Sequence, residues 1–298
     1  MVIVKLMGGL GNQMFQYAVG RHLASKLNTK LKLDLSFLLD CSVRENFTPR
    51  AYELDIFKIQ ADIATAGEVA EFEETPANPS PSLFHQVRRR LFPYAVIQEP
   101  PFDYTFQKAV LDNSRTNTYL QGYWQSEKYF KAIEPMIRQN FEFVAGLEGG
   151  NLAMADSILS KSSVSLHVRR GDYVTIATTN QYHGVCSTDY YREAVEIVSK
   201  KMTKPHFFVF SDDQAWVRQN LGFLEAVTFV DVNQDGKNYE DMRLMSMCKH
   251  HIIANSSFSW WGAWLNPNPG KQVIAPAQWF NDPTINTSDL IPGEWQRI

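Results

Sequence analysis

The sequence predicts an α/β protein with two Rossmann-like domains that face a cleft, one over residues 1–150 and one over residues 151–298. In both halves, short apolar runs alternate with segments of helical period, and this alternation is typical of parallel sheets covered by helices. The length of 298 residues suits two domains of about 150 residues each. A stretch that contains Gly146, Gly149 and Gly150 is the expected boundary.

Composition limits the function classes. With 44% hydrophobic residues the chain can bury a core, and its net charge of −3 argues against a nucleic-acid partner. The three cysteines are widely spaced, which suits a reducing compartment better than a disulfide framework. No apolar run reaches the roughly 18 residues of a transmembrane helix, and the amino terminus does not resemble a signal peptide. We therefore expect a cytoplasmic protein, with peripheral association at the inner membrane left open.

The first half opens with a βαβ pattern, which predicts a parallel sheet. Its predicted strands are residues 2–6, 31–35 and 118–120, and its predicted helices are residues 12–27 and 126–137. Prolines cluster at about 74–101, where we expect an irregular insertion or lid rather than sheet. The basic run 88–90 within it is either a solvated helix face or a patch for an anionic partner or membrane surface.

The second half repeats the alternation, which again predicts a parallel sheet. Its predicted strands are residues 164–168, 206–210, 227–230 and 251–254, and its predicted helices are residues 153–159, 189–200, 213–221 and 239–249.

The first strand leads into a glycine-rich turn in which Gly9 and Gly11 have the spacing of a dinucleotide fingerprint. Met14 stands in place of the third glycine, although Asp34 lies where a ribose-binding acid is expected. Three interpretations remain open: a tight turn, a loop that approaches a ligand with its backbone and Asn12, or a true dinucleotide site. The last would make the chain an oxidoreductase.

The strand over residues 164–168 ends in two adjacent guanidinium groups, Arg169 and Arg170. Ligands of open α/β sheets bind outside the carboxyl ends of the strands, and guanidinium forks match phosphate oxygens in bidentate fashion. We therefore interpret this stretch as the grip for a diphosphate. The alternative is a pair of surface arginines with Asp172 as their ion-pair partner.

Acidic residues follow the strand over 206–210. Asp212 and Asp213 are suited to a divalent cation bound with a nucleotide diphosphate. The simpler interpretation is that Ser211 caps the next helix and that Gln214 completes a capping box.

Two further segments offer polar groups at helix starts. Asp241 either forms a capping pair with Asn238 or accepts two N–H bonds from a guanine edge. Small hydroxyl residues at 255–257 open a helix whose N–H groups suit an anion. Trp260 and Trp264 share a face of that helix, as core residues or as a platform for a sugar or base.

Four motifs resemble those of the bacterial α-1,2-fucosyltransferases of glycosyltransferase family 11. They are residues 8–17 (GGLGNQMFQY), 122–130 (GYWQSEKYF), 167–173 (HVRRGDY) and 255–264 (NSSFSWWGAW). Together they span most of the chain in order, and residues 40–115 carry no recognisable family landmark.

The resemblance implies a GT-B-like fold that binds GDP-L-fucose in its second domain without a metal or other cofactor. It implies that Arg169 contacts the β-phosphate, that Asp241 reads guanine and that Ser257 contacts phosphate, with Asn12 beside the reacting groups. Arg169 and Asn12 are thus the expected catalytic residues. The expected donor-binding residues are Gly9, Gly11, His167, Arg169, Arg170, Asp172, Asp241, Ser256, Ser257 and Phe258.

The reaction implied is an inverting transfer of L-fucose to the 2-hydroxyl of a terminal β-galactoside, in surface polysaccharide or lipopolysaccharide biosynthesis. Another GDP-fucose-dependent linkage and a non-catalytic glycan-binding module remain open. The sequence does not identify a general base: Asp172, His22, Asp34 and Glu127 are all candidates, and the departing phosphate can make a strong base unnecessary.

Overall fold

A computed structural model describes residues 1–40, 42, 48–72, 94–233 and 236–298. These residues form two compact units. The first takes its described residues from 1–43, 49–144 and 286–290, and the second takes most of its residues from 145–285 and 291–298. Each unit contains a parallel sheet with helices, so the predicted α/β class is confirmed.

The sheet of the first unit has the strand order β3-β2-β1-β5-β4. The strands are β1 (Val2–Lys5), β2 (Leu31–Asp34), β3 (Asp62–Ile63), β4 (Tyr94–Gln98) and β5 (Asn117–Gln121). The helices are α1 (Leu10–Lys26), α2 (Ser36–Leu39), α3 (Ala66–Ala70), α4 (Lys108–Asp112) and α5 (Glu134–Asn140). The order reverses at β1 and β5, and the crevice outside the carboxyl ends of such strands is where ligands of this fold class bind.

Helix α1 begins inside the glycine-rich turn, two residues earlier than the sequence predicts, and is buried over most of its length. In a dinucleotide fingerprint, the third glycine lets the helix pack closely against the strand. Here Gly20 makes that close contact instead. A Cβ atom on Gly20 would lie 2.3 Å from Cγ2 of Val4. Met14 is fully buried and packs as an ordinary core residue.

The prediction of an irregular insertion at 74–101 is wrong for its last part. Residues 94–98 form strand β4, which pairs with β5 in register from Tyr94 opposite Asn117 to Gln98 opposite Gln121. It is an edge strand, which leaves Val96 50% exposed. The sequence did not predict it, because its apolar run is short and lies between prolines. Residues 73–93, which include the basic run 88–90, lie outside the described residues.

The sheet of the second unit has the order β11-β10-β9-β6-β7-β8. The strands are β6 (Ser163–Val168), β7 (His206–Ser211), β8 (Val227–Val230), β9 (His250–Ile252), β10 (Val273–Ala275) and β11 (Gln296–Arg297). The helices are α6 (Gly149–Leu159), α7 (Gly171–Thr175), α8 (Ala177–His183), α9 (Thr188–Lys201), α10 (Gln214–Asn220), α11 (Asn238–Met247) and α12 (Ser257–Leu265). Here the order reverses at β6 and β9.

Some helix starts differ from their predictions. The cap of α10 is Asp213, whose side chain accepts the Trp216 N–H, whereas Ser211 accepts the N–H of Asp213. Helix α11 begins at Asn238 itself, so Asn238 is not the residue before the helix. Several polar residues in a row can each supply a cap, and only the path of the backbone chooses among them.

The segment after Ser126 is more irregular than the single helix that we predicted. Two short 3₁₀ turns, Glu127–Tyr129 and Lys131–Ile133, precede α5. The Ser126 hydroxyl accepts the Lys128 N–H at 3.3 Å.

The chain returns to the first unit at residues 286–290, which the prediction of domains 1–150 and 151–298 assigned to the second domain. Asp289 explains this return. Its carboxylate accepts the backbone N–H of Phe106 at 2.7 Å and the ammonium of Lys128.

Candidate active site

The switch point of the second unit brings three segments together. Strands β9, β6 and β7 are neighbours and parallel, so residues that follow their carboxyl ends share one edge of the sheet. These residues are Arg169 and Arg170 after β6, Asp212 and Asp213 after β7, and 255–257 beyond β9. Ligands of parallel α/β sheets bind at this kind of edge.

Arg169 is fixed between two carboxylates. One guanidinium nitrogen donates to Asp172, and another lies 2.9 Å from Oδ2 of Asp212. Burial opposes the charge, but Asp212 and Asp172 outweigh it and raise the pKa of Arg169 above its usual value. The Tyr173 ring lies 5.3 Å from the guanidinium carbon, which adds a cation–π contact. The guanidinium is therefore permanently charged and held in one orientation.

Arg170 has different partners, and this corrects one interpretation. The sequence alternative made Asp172 the ion-pair partner of both arginines, and the structure shows its salt bridge to Arg169. The Arg170 side chain donates to Asp213 at 3.1 Å and its guanidinium carbon lies 4.4 Å from the centre of the Trp216 ring. These contacts fix the loop after β6 to the start of helix α10.

Asp212 and Asp213 are therefore engaged with arginines. Asp212 also accepts the backbone N–H of Arg170 at 2.8 Å. Among the described residues, no group of three or more His, Cys, Asp or Glu side chains is placed to hold a metal ion. The absence of a metal from the reaction stays a prediction.

His167 lies at the end of β6 and is 5% exposed. Burial, with a smaller contribution from Arg169, lowers its pKa to about 3, so the imidazole is neutral near pH 7. Its Nδ1 has no hydrogen-bond partner within the described part of the chain. The ring centre lies 5.8 Å from that of Phe258. His167 and Phe258 therefore meet across the switch point.

The start of helix α12 lies beside them. The Ser256 hydroxyl accepts the Phe258 N–H at 3.3 Å, so Ser256 is the helix cap. The side-chain amide of Asn255 ties the turn to the rest of the unit by donating to the carbonyls of His183 and Trp279. Ser257 is half-buried and is the first residue of the helix.

The tryptophans of this helix are core residues. Trp260 and Trp261 are fully buried and Trp264 is 3% exposed, and the three rings contact one another. The interpretation of Trp260 and Trp264 as a platform for a sugar or base is therefore wrong.

Asp241 lies in the first turn of α11 with an amide network behind it. Asn233 donates to its Oδ1 at 2.7 Å and exchanges hydrogen bonds with the Asn151 amide. Burial raises the pKa of Asp241 to about 7, and Glu240 adds to the shift while the Asn233 bond opposes it. This carboxyl group therefore titrates near neutral pH.

The sequence interpretation missed Tyr173 and His183. Their rings stack at 4.6 Å, and the Tyr173 hydroxyl donates to the carbonyl of Asn255. Tyr173 thus links the loop after β6 to the segment after β9. Its place inside the motif at 167–173 was the available signal, whereas His183 stands outside every motif.

Amide side chains hold the glycine loop at the switch point of the first unit. Gln16 accepts the Met7 N–H at 2.9 Å and donates to the carbonyl of Gly122 at 3.1 Å, so it bridges the ends of β1 and β5. Gln13 donates to the Gly8 carbonyl at 2.9 Å and accepts the Glu53 N–H at 3.0 Å.

Asn12 is oriented by this network. Its Oδ1 accepts from Nε2 of Gln125 at 2.8 Å, which directs its NH₂ group elsewhere. Gly8 has a φ of +74°, and a Cβ there would lie 2.6 Å from Nδ2 of Asn12. Gly9 and Gly11 flank the first residue of helix α1. The chain thus gives the Asn12 amide one defined orientation beside the glycine loop.

The second unit thus has a fixed guanidinium at a switch point, which suits an anionic ligand. The model of glycosyl transferase family 11 matches residues 94–298. The chain belongs to this family, which confirms the resemblance carried by its motifs.

Two bacterial relatives match the chain almost end to end. The alpha-1,2-colitosyltransferase of Escherichia coli is 33% identical over 303 residues, which cover 100% of this chain and 98% of that protein. The O-antigen biosynthesis glycosyltransferase WbnK of Escherichia coli is 34% identical over 311 residues, which cover 97% of this chain and 98% of that protein. The chain is therefore a glycosyltransferase of this family.

A solved structure supports the fold. A mutant of Arabidopsis thaliana FUT1 in complex with GDP matches with a TM-score of 0.51 and 11% identity, over 92% of this chain and 69% of that one. The GT-B-like fold class is thus confirmed. In the described part of the chain, no helix has the length and apolar character needed to span a membrane.

Proposed function

We propose that the protein transfers L-fucose from GDP-β-L-fucose to the 2-hydroxyl of a terminal β-galactoside, with inversion at the anomeric carbon. The proposed setting is O-antigen or another surface polysaccharide, since a 34% identical relative is an O-antigen biosynthesis glycosyltransferase. The observation that carries the proposal is the guanidinium of Arg169, fixed by Asp172 and Asp212 at the switch point of the second unit.

In this proposal Arg169 stabilises the departing diphosphate. Negative charge develops on GDP as the bond between the sugar and the β-phosphate breaks, and a preorganised cation acts most strongly where charge develops. The carboxylates of Asp172 and Asp212 hold the guanidinium in place before the reaction begins. Arg170 shapes the same loop through Asp213.

The other donor-binding roles follow from the motifs and agree with the contacts. Asp241 would accept two N–H bonds from guanine, with Asn233 fixing its carboxylate. Ser256, Ser257 and Phe258 would present the first turn of α12 to the diphosphate, where backbone N–H groups favour an anion. His167 would contribute as a neutral hydrogen-bonding group.

We further propose that no metal is required, because the cation that offsets the phosphate charge is supplied by Arg169. The proposed acceptor side is the first unit, where Gly9 and Gly11 would border the donor and Asn12 would lie beside the reacting groups. A cytoplasmic location is part of the proposal, supported by the three widely spaced cysteines.

GDP-colitose is a second candidate for the donor. The alpha-1,2-colitosyltransferase matches the whole chain at 33% identity, and colitose differs from fucose in lacking the 3-hydroxyl. A site that hydrogen-bonds a substrate hydroxyl rejects an analogue without it by about 10⁴–10⁵, whereas an apolar pocket discriminates by only about 10². Donor preference therefore reports the character of the pocket.

The deciding experiment offers GDP-fucose and GDP-colitose to the purified protein with an array of β-galactoside acceptors. Transfer of fucose with an α-1,2 linkage, identified by NMR of the product, is the expected result. Efficient transfer of colitose alone would replace the proposed donor, and transfer to a position other than the 2-hydroxyl would replace the proposed linkage.

A further inference from the structure

Three polar side chains of the second unit form a row that links helix α6 to helix α11. Asn151 lies in the first turn of α6, Asn233 lies between β8 and α11, and Asp241 lies in the first turn of α11. The two asparagines are 82 residues apart in the chain, and neither stands in any of the four family motifs. Only the folded unit brings them together.

The two side-chain amides form a closed pair. Nδ2 of Asn151 donates to Oδ1 of Asn233 at 2.7 Å, and Nδ2 of Asn233 donates to Oδ1 of Asn151 at 3.0 Å. An amide nitrogen carries two hydrogens, and Nδ2 of Asn233 also donates to Oδ1 of Asp241 at 2.7 Å. Both N–H groups of Asn233 are therefore in use.

This arrangement fixes which way the Asn233 amide points. An ionised carboxylate can only accept hydrogen bonds, so a reversed amide would place Oδ1 of Asn233 against the oxygen of Asp241 with no hydrogen between them. The reversed amide would also lose both hydrogen bonds to Asn151. The Asn151 amide thus selects the orientation in which Asn233 donates to Asp241.

The Asp241 carboxylate is engaged on one oxygen. Oδ1 accepts from Asn233, whereas Oδ2 has no hydrogen-bond partner in the described part of the chain and is not fully enclosed. A carboxylate that serves only as a helix cap would accept a backbone N–H of α11, and no such bond to Asp241 is present among the described residues. Asp241 therefore keeps acceptor capacity for a group from outside the chain.

We propose that Asn233 is a positioning residue that keeps the Asp241 carboxylate ionised for guanine, and that Asn151 holds Asn233 in its donating orientation. This inference rests on the proposed function, in which Asp241 accepts the two N–H groups of the guanine edge. A protonated carboxyl group would replace one of its acceptor sites by a donor and lose one of these bonds. Recognition of the base therefore depends on the amide behind Asp241 as well as on Asp241.

The surroundings of Asp241 oppose its negative charge, and Asn233 acts against them. Burial raises the pKa of Asp241 to about 7, the hydrogen bond from Asn233 lowers it, and Glu240 raises it further. Glu240 itself lies 3.6 Å from Arg243 on the same helix. Of the helices packed against α11, α12 contains no ionisable side chain and α6 contains one, Asp156. The Asn233 amide thus supplies the hydrogen bond that favours the ionised carboxylate.

The test measures the Kd of GDP by calorimetry between pH 5 and 8.5. In the parent protein the Kd should increase as pH falls through about 7, because protonation removes an acceptor from Asp241. Asn233→Ala should move this midpoint upward by about one pH unit, the size expected when a charged group loses one hydrogen bond. The ratio of its Kd to that of the parent should be about fivefold at pH 7 and fall toward one at pH 8.5. The titration of GDP itself cancels in this ratio.

Asn151→Ala provides a second readout in which the donor to Asp241 is retained. Without its partner the Asn233 amide is free to turn, so the midpoint should move in the same direction by a smaller amount. The double variant should have the midpoint of Asn233→Ala alone, because Asn151 acts only through Asn233. A further shift in the double variant would overturn the proposed role of Asn151.

Asn220→Ala is a matched control in the same unit. Its side-chain amide donates to the carbonyl of Trp216 in α10 at 2.9 Å, so its loss should lower the melting temperature and leave the midpoint in place. The same outcome for Asn233→Ala would mean that Asn233 is merely structural, and it would overturn the proposal. If Asn233→Ala fails to fold, an unchanged midpoint in Asn151→Ala overturns it.

Inosine diphosphate separates the failure of this inference from that of the proposed function. It lacks the 2-amino group of guanine, so the parent should bind it about tenfold or more weakly than GDP. Equal Kd values for the two nucleotides would contradict the proposed reading of guanine by Asp241, and this inference with it. A preference for GDP in the parent, combined with an unchanged midpoint in the variants, would contradict this inference alone.

Discussion

The two switch points of the molecule solve different chemical problems. At the end of β6, Arg169 and Arg170 are held by the carboxylates of Asp172, Asp212 and Asp213. At the end of β1, hydrogen bonds among neutral amides and the backbone hold the loop. Fixed charge suits a diphosphate that leaves with negative charge, whereas amides suit the hydroxyl groups of an uncharged sugar.

The two switch points should also differ in how much turnover a substitution removes. A guanidinium that is already held in place between two carboxylates stabilises the charge that develops on the leaving group in the transition state. Water would first have to reorganise to do the same. A single amide contributes one hydrogen bond, which is worth about 0.5–1.5 kcal/mol, or about 1.5–3 kcal/mol to a charged group. Substitutions at the end of β6 should therefore have larger effects on turnover than those in the amide network.

The largest effect is expected at Arg169. Arg169→Ala should reduce kcat by about 10²–10³, because the leaving diphosphate loses its fixed cation. Arg218→Ala is a matched control, since that arginine is 48% exposed and pairs with Asp231 at the surface. Steady-state kinetics of both variants, with melting temperatures to confirm folding, is the measurement. Equal turnover in Arg169→Ala and the parent would remove this residue from the mechanism.

A smaller loss is expected in the amide network. Asn12→Ala should lower kcat/KM by about 2-fold to 13-fold, which corresponds to the loss of one hydrogen bond of about 0.5–1.5 kcal/mol to an uncharged substrate group. Gln125→Glu should cost as much, because a carboxylate would repel Oδ1 of Asn12 and turn its amide round. Gln125→Ala should cost less. Equal kinetics for Gln125→Glu and Gln125→Ala would show that Gln125 does not orient Asn12.

The pH dependence of GDP binding should report Asp241. Its pKa is raised to about 7, and only the ionised carboxylate accepts two N–H bonds from guanine. The Kd of GDP should therefore rise about tenfold for each pH unit below about 7. Calorimetry between pH 5 and 8 measures this, and Asp241→Asn should bind weakly with no such slope. A slope that persists in Asp241→Asn would assign the titration to another group.

The raised pKa of Asp241 should also affect the free energy of unfolding of the ligand-free protein. Because the folded-state pKa of Asp241 lies above the usual 3.8, the folded state holds the proton more tightly than the unfolded state. Its contribution to stability is therefore present below the unfolded pKa and is lost as pH rises through about 7. Asp241→Asn should flatten this part of the stability profile.

Two neighbouring glycines should respond differently to alanine. Gly8→Ala should destabilise the fold by about 1–3 kcal/mol, because φ is +74° and the new Cβ would overlap Asn12. Gly9→Ala should cost less, about 0.5–1 kcal/mol, since φ is −79° and the new Cβ would make only ordinary contacts, but alanine is disfavoured at the N-cap of α1. Chemical denaturation of both variants is the measurement. Similar losses would mean that Gly9 is also required by the fold.

The smallest effect is expected from removal of metal ions. EDTA should change turnover by less than about twofold, because the cation at the phosphate site is Arg169 in this proposal. The control is the same assay with added Mg²⁺ or Mn²⁺. A strict requirement for either ion would return Asp212 and Asp213 to the role of ligands.

Most strands of both sheets, and the position of Arg169 at the end of β6, could be predicted from the sequence. These features are local: an apolar run defines a strand, and the residue that follows it stands at the edge of the sheet. The sequence prediction missed β4, because a single edge strand among prolines carries little apolar signal, and it missed β3, β10 and β11, which have only two or three residues each. It also misplaced the cap of α10, because three adjacent polar residues compete for that role.

The contacts that give the site its chemistry depend on how the strands assemble into sheets. Arg169 meets Asp212 because β6 and β7 are neighbours in register, with Val168 opposite Ser211. Asn12 meets Gln125 across 113 residues because β1 and β5 are neighbours. Strand order is a property of the assembled sheet, so motifs show which residues matter while the fold determines their partners.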